Sequence, residues 1–198
     1  MSSTKIIDCI LWDFGDTLSV WRGGSPEWMT AYKKIEEKIG ISSAWNLGLI
    51  ETEKVLTLLA ETLKITESEV YNHLMREDLF EFFPFTHNFF MSRHLPQSIV
   101  TINPPLFREM TAPLGLDDVI STIVISGEEG TLDKGVLCEI ALQRMNINST
   151  NDRVLLIDNL QANLDSWMDR GGIGYLFTND SEFQKDVANG IDGLASRI

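Results

Sequence analysis

The chain has 198 residues, 43% hydrophobic and 23% charged, a globular mixture that excludes disorder and bounds it to one domain or a core carrying an insert. Sixteen lysines and arginines against 29 aspartates and glutamates give a net charge of −13, which argues against nucleic-acid and anionic-membrane partners and obliges any anionic substrate to meet a local cation or metal ion. Cys9 and Cys138 make no disulfide framework, Met1 to Lys5 lacks a signal peptide's apolar run, and no stretch is long enough to span a bilayer, so a cytoplasmic protein is the expectation.

Ile6 to Trp12 is a short, mostly apolar run rich in β-branched residues, and it breaks abruptly at Asp13-Phe14-Gly15-Asp16-Thr17. It reads as a buried strand followed by a tight loop. Pro26 to Ile39 has helical periodicity, with proline suited to the first turn. Leu47 to Leu63 reads as a second amphipathic helix. Thr66 opens a third, with Glu69 at capping-box spacing. Pro84 and Pro96 bracket a short helix around His87 to His94. No strand is evident in this stretch.

Beyond it the pattern alternates. Ser98 to Ile102, Ser121 to Ile125, Arg153 to Ile157 and Ile173 to Phe177 read as strands. Leu106 to Ala112, Lys134 to Met145, Ala162 to Arg170 and a segment from about Ser181 read as helices. Such alternation implies right-handed crossovers and a parallel sheet covered on both faces. The expected fold is therefore α/β, a Rossmann-like parallel-sheet core of residues 1–18 and 97–198. Residues 19–96 are expected to form an all-helical insert.

Ligands bind at the carboxyl ends of the strands in such sheets. The first strand delivers Asp13, with Gly15, Asp16 and Thr17 in its loop. The second delivers Thr101 and Asn103. Lys134 opens the helix after the third, and the fourth delivers Asp158 and Asn159, with Asn163 a turn later. Two carboxylates, a hydroxyl, an amide and an ammonium thus converge on one edge.

This order resembles the four motifs of the haloacid-dehalogenase-like (HAD-like) hydrolases. Asp13-Phe14-Gly15-Asp16-Thr17-Leu18 resembles the first motif, Asp-x-Asp-Gly-Thr-Leu; Val100-Thr101-Ile102-Asn103 the second; Lys134 the third; and Leu156-Ile157-Asp158-Asn159 the fourth. The insert is similar in position to that family's helical cap. The resemblance implies a Mg2+-dependent phosphatase acting on a small phosphate ester, with Asp13 as nucleophile. Asp13, Gly15, Asp158 and Asn159 are its candidate metal ligands, and Thr101, Asn103 and Lys134 its phosphate ligands. Elementary chemistry agrees, since a carboxylate approaches a phosphate only when cations offset the repulsion.

Two positions depart from the motifs. Gly15 stands where the family carries an aspartate acid/base, and an aspartate follows at Asp16, which is either a displaced acid/base or a turn residue bonding its own backbone. Asn159 stands where an aspartate is usual. Asn103 precedes Pro104 and so doubles as a turn opener, and Asn163 as a loop stabiliser. Lys134 sits where the helix dipole disfavours a cation, which favours a functional role.

Outside the motifs, His73, His87 and His94 lack metal-ligand spacing and read as packing or surface residues. Arg22 is a weaker candidate for a substrate's anionic tail. Phe80 to Phe90 reads as packing between insert and core, and Glu128 and Glu129 as solvated charges. The leading alternative is a weak or inactive relative that binds a phosphorylated ligand or a partner. Dehalogenation needs no metal pair, so Asp158 argues against it. A signalling receiver domain would place its acidic pair after the first strand and its lysine last.

Overall fold

A computed structural model describes residues 7–92 and 95–189. The readings that touch residues 1–6, 93–94 or 190–198, among them Ile6, His94 and the end of the core segment, lie outside the described residues. In chain order the elements are β1 (Cys9–Trp12), β2 (Ser19–Trp21), α1 (Pro26–Ile39), α2 (Ile41–Asn46), α3 (Thr52–Leu63), α4 (Glu67–Leu74), β3 (Phe80–Phe82) and α5 (Pro84–Met91). They continue with β4 (Gln97–Thr101), α6 (Phe107–Thr111), β5 (Thr122–Ile125), α7 (Ser126–Glu129), α8 (Lys134–Arg144), β6 (Val154–Asp158), α9 (Gln161–Met168), β7 (Ile173–Leu176) and α10 (Asp180–Ala188).

Five strands form a parallel sheet in the order β5-β4-β1-β6-β7. Every residue of β1 is buried, as a central parallel strand requires. Cys9 and Leu11 face one layer with Val100, Leu137 and Trp167, while Ile10 and Trp12 face the other with Ile99, Ile157 and Phe183. The buried amide of Gln97 is satisfied by the Trp12 indole (3.1 Å) and the carbonyls of Phe90 and Val119 (2.9 and 3.0 Å). The chain runs outward from β1 through β4 to β5 and then returns to β6 on the other side. That reversal is the topological switch point, and it opens a crevice at the carboxyl ends of β1, β4 and β6.

The expected core is therefore present, whereas the expectation of an all-helical insert needs correction. Residues 19–96 also contain β2 and β3, paired antiparallel with Ser19 opposite Phe82 and Trp21 opposite Phe80. An extended Phe80-Glu81-Phe82 puts both rings against Phe14, with centroids 5.1 and 6.0 Å away. Glu81, on the opposite face, pairs with Arg22 at 2.6 Å. Three-residue strands held by such contacts leave no period to read.

The single helix expected over Leu47 to Leu63 is also corrected. Gly48, at φ +68°, ends a short α2, and α3 starts at Thr52. Elsewhere the local signals hold. Ser25 caps α1 ahead of Pro26, and Thr66 and Glu69 form a reciprocal capping box on α4. α1 to α4 close a core of their own around Ile35, Trp45, Leu59 and Val70, and Leu106 of the α/β core packs into it. The insert also touches the sheet domain where the Ser126 hydroxyl donates to the Asn46 carbonyl at 2.7 Å. There a Cβ on Gly48 would fall 2.2 Å from the Gly127 carbonyl oxygen. Among the described residues no helix is long and apolar enough to cross a membrane.

Candidate active site

Asp13 is the first residue beyond β1, and its amide still donates to the Ile157 carbonyl of β6 (2.9 Å). The chain then turns back at once. The Phe14 carbonyl accepts from the amides of Leu18 and Ser19 (2.9 and 3.0 Å), and the Asp16 amide donates to the Ser19 carbonyl (2.7 Å). This tight loop holds Asp16 at φ +56°, a left-handed conformation that aspartate tolerates better than most residues. Asp13 is left buried at 7% exposure, while Asp16 stands in solvent.

Facing Asp13, β6 ends on the fully buried Asp158 and α8 begins on Lys134, 1% exposed. The Lys134 ammonium donates to Asp13 Oδ1 at 2.7 Å and lies 2.9 Å from Asp158 Oδ2. Asp133 caps α8 by accepting from the Val136 amide (3.1 Å), and it also accepts from the Ser166 hydroxyl (2.6 Å) and Arg170 (3.0 Å). These bonds fix the start of the helix and so aim Lys134. Burial disfavours the ammonium charge, but the two carboxylates outweigh it and hold Lys134 above the ordinary lysine range. For Asp13 burial wins, and its carboxyl is pushed up to about 6 despite the attraction of Lys134.

The Leu160 amide donates to Asp158 Oδ1 (2.8 Å), and the Asn163 carboxamide donates to both oxygens (3.1 and 3.0 Å). With Lys134 added, both Asp158 oxygens are engaged. Asp13 Oδ2 receives a long 3.3 Å contact from the Thr17 hydroxyl, while Oδ1 takes the short bond from Lys134, so Oδ2 is the oxygen we assign to a ligand. On β4, next to β1, the Asn103 carboxamide donates to the buried Thr101 hydroxyl (2.7 Å), and the Asn103 amide donates to Ser126 (3.0 Å). Gly15 and the half-buried Asn159 follow the two carboxylates in their loops.

Of the residues marked in the sequence, the structure brings Asp13, Lys134 and Asp158 into contact and sets Thr101 and Asn103 on the neighbouring strand end. It does not bring Asp16 into that group. Arg22 is tied to Glu81. His73 stacks on Trp28 at 3.9 Å and His87 on Phe82 at 4.2 Å, so both are packing residues. Glu128 and Glu129 pair with Arg108 and Arg144. Sequence reasoning missed Ser126, which anchors the Asn103 loop, and the full part of Asn163 in orienting Asp158. A polar residue one helical turn beyond a strand-end acid is the signal for the second; nothing marks the first.

Two buried carboxylates are the acidic donors of this cluster, and among the described residues no group of three or more His, Cys, Asp or Glu side chains is placed to hold a metal ion. That set does not suit a metal wanting three or four protein ligands. It suits Mg2+, which takes one or two carboxylates and completes its shell with neutral oxygens, water and phosphate. The neutral oxygens within reach in sequence are the Gly15 carbonyl and the Asn159 carboxamide.

The chain matches no protein-family model and no curated protein. Solved structures do resemble it. A HAD-family enzyme from Bacteroides thetaiotaomicron, solved as a mutant with magnesium and inorganic phosphate, is 13% identical with a TM-score of 0.69, over 87% of this chain and 95% of that one. A predicted HAD-like hydrolase from Porphyromonas gingivalis is 17% identical with a TM-score of 0.70, over 93% and 97%. L-2-haloacid dehalogenase from Xanthobacter autotrophicus is 14% identical with a TM-score of 0.63, over 93% and 84%. The fold is thus the one these HAD-family proteins share.

Proposed function

We propose that this chain is a Mg2+-assisted phosphohydrolase, a hydrolase of the HAD-like type that removes phosphate from a small soluble ester by way of an aspartyl-phosphate on Asp13. The observation that carries the reading is the buried array of Asp13, Lys134 and Asp158 at the switch point of the sheet. A dianionic phosphate is received by the Lys134 ammonium, the Thr101 hydroxyl, the Asn103 carboxamide and the loop amides near Phe14 and Gly15. Asp13 Oδ2 attacks phosphorus in line, and the bond to the ester oxygen breaks with its electron pair leaving on that oxygen. Water then attacks the same phosphorus, the bond to Asp13 breaks, and the carboxylate is restored as inorganic phosphate departs.

Asp13, Asp158, the Gly15 carbonyl and Asn159 would hold the metal, and bound there Mg2+ supplies neutralisation of charge on the phosphate oxygens. The fold shared with an enzyme solved with magnesium and phosphate supports this choice of ion. Two free, buried cysteines and the net charge of −13 are in keeping with a cytoplasmic protein acting on a small molecule rather than on nucleic acid or membrane.

The test is phosphate release from a broad panel of esters with Mg2+, with Asp13→Asn beside the wild type. Turnover that EDTA and Asp13→Asn both abolish supports the reading. The absence of a side chain at Gly15 and the solvent position of Asp16 favour a second reading, a ligand-binding protein without turnover. Binding of inorganic phosphate with no release from any ester would select it.

A further inference from the structure

A cavity of about 340 Å3 lies between the insert and the sheet domain; Asp13 is not in its lining, but Phe14 and Gly15 of the loop that follows Asp13 are. Phe14, Gly15 and Asn103 give it a wall in common with the candidate active site, and Trp28, Tyr32 and Trp45 close it from the insert. An ester group that leaves the candidate site past Phe14, Gly15 and Asn103 would enter this space. None of the lining residues carries a charge, and seven of the sixteen are aromatic. In a chain with 29 acids and 16 basic residues, a neutral wall offers no cation to a second anionic group. Polar partners are few as well. The hydroxyl and amide side chains of the lining are Ser19, Tyr32, Asn46 and Asn103; the Tyr32 hydroxyl donates to Ser42 (3.1 Å), and the Asn103 carboxamide, which donates to Thr101 (2.7 Å), has its second N–H left for the phosphate. Ser19, fully buried in the wall, has a hydroxyl with no hydrogen-bond partner. A ligand rich in hydroxyls would leave most of them unpaired there, whereas a flat apolar one meets aromatic faces on several sides.

The reaction side of the cavity restricts the ester independently. Gly15 offers no acid, and Asp16 neither lines the cavity nor touches Asp13. A leaving oxygen must then depart without a proton from a side chain. A phenolic oxygen, with a conjugate-acid pKa of about 10, manages this far better than an aliphatic alkoxide, whose basicity approaches that of hydroxide.

We infer that the substrate is the phosphate monoester of an uncharged, phenol-type aromatic compound of one or two rings, its ring held between the insert and the Asp13 loop. The assignment rests on the phosphohydrolase reading and narrows it. Asp13 Oδ2 forms a bond to phosphorus as the bond to the aryl oxygen breaks, and the aryl oxide takes its proton from water. A second water then cleaves the aspartyl-phosphate, and the proton it releases neutralises the hydroxide left by the first, so one ester and, in net, one water give one phenol and one inorganic phosphate.

The experiment compares kcat/KM of the full chain with Mg2+ for 2-naphthyl phosphate, glucose 6-phosphate, a nucleoside monophosphate and acetyl phosphate. It also follows quenching of tryptophan fluorescence by 2-naphthol, which needs no turnover. The expected result is a preference for 2-naphthyl phosphate of about 100-fold or more over the sugar and nucleotide esters, with saturable quenching by 2-naphthol. Met110→Arg, which brings a cation to the cavity wall, is expected to raise KM for 2-naphthyl phosphate about tenfold and to weaken the quench. Better turnover of the sugar or nucleotide ester, or hydrolysis of acetyl phosphate without any quench, overturns the aromatic assignment and leaves the phosphohydrolase reading standing. No hydrolysis of any ester overturns that reading, and the assignment with it.

Discussion

Replacing Gly15 with aspartate asks whether proton delivery limits this site. A Cβ on Gly15 meets nothing within 4 Å, and Gly15 is not among the residues held at positive φ, so the side chain enters without strain. It would stand two residues beyond Asp13, on the loop that shares a wall with the cavity. A positioned general acid is worth roughly 10²- to 10⁴-fold, or about 2.7–5.4 kcal/mol at 1.36 kcal/mol per tenfold. The gain falls on esters whose leaving oxygen most needs a proton. Turnover of an alkyl phosphate is therefore expected to rise about 10²-fold, and that of an aryl phosphate by less than about tenfold. The new carboxylate also adds negative charge near Asp13, so the acid limb of the rate profile is expected to move to higher pH. The assay is phosphate release from both esters with Mg2+ between pH 5 and 9. Equal gains on both esters, or none on either in a variant with an unchanged circular dichroism spectrum, would refute the argument.

Lys134→Met leaves two buried carboxylates without their cation, and a loss of about 3–5 kcal/mol is expected in denaturant titrations. Burial already sets Asp13 near 6 in the fold, above its ordinary 3.8. A raised carboxyl contributes stability below its unfolded value and loses it as pH climbs through the folded one, so the Lys134→Met deficit should be larger at pH 8 than at pH 5. Gly48→Ala forces a side chain into a left-handed position worth about 1–2 kcal/mol and toward the Gly127 carbonyl. It should lower the melting temperature and raise KM more than it lowers kcat, because the contact between insert and sheet domain is displaced. Cys9 and Cys138 are fully buried, and burial pushes the Cys9 thiol up to about 12 and raises Cys138 too. Ellman's reagent should therefore find no thiol in the native protein and two after denaturation.

The parallel core was legible because each strand is an apolar run ended by a polar break. Asp13, Lys134 and Asp158 were legible because βα alternation forces successive strand ends onto one edge. What escaped notice obeys other physics. β2 and β3 are held by Phe80 and Phe82 packing on Phe14, a contact across more than sixty residues with no local period. α2 is a six-residue helix following Gly40, too short for its amphipathic stripe to stand out. The aromatic cavity joins Phe14, Trp28, Tyr32, Trp45 and Phe107, residues scattered over four segments and assembled only when the insert folds back. Asp16 was legible as an acid near Asp13. Its position outside the cluster was not, because that depends on one backbone dihedral of the loop.

The two departures from the motifs act in the same direction. Asp13, Asp158 and Lys134 together carry one net negative charge when all are ionised. Aspartates at positions 15 and 159 would make it three. The smaller charge weakens the pull on a divalent cation before substrate arrives, and it also weakens the repulsion of a phosphate dianion. In the proposed function a cation and a phosphate would then complete each other, since each would supply charge that the protein does not. By linkage the strengthening is reciprocal. A site so arranged gives up proton donation and standing metal affinity together. In the proposed reading it is best matched to a leaving group that needs no proton and is drawn in by an apolar wall, which is what the aromatic cavity behind Phe14 and Gly15 would offer.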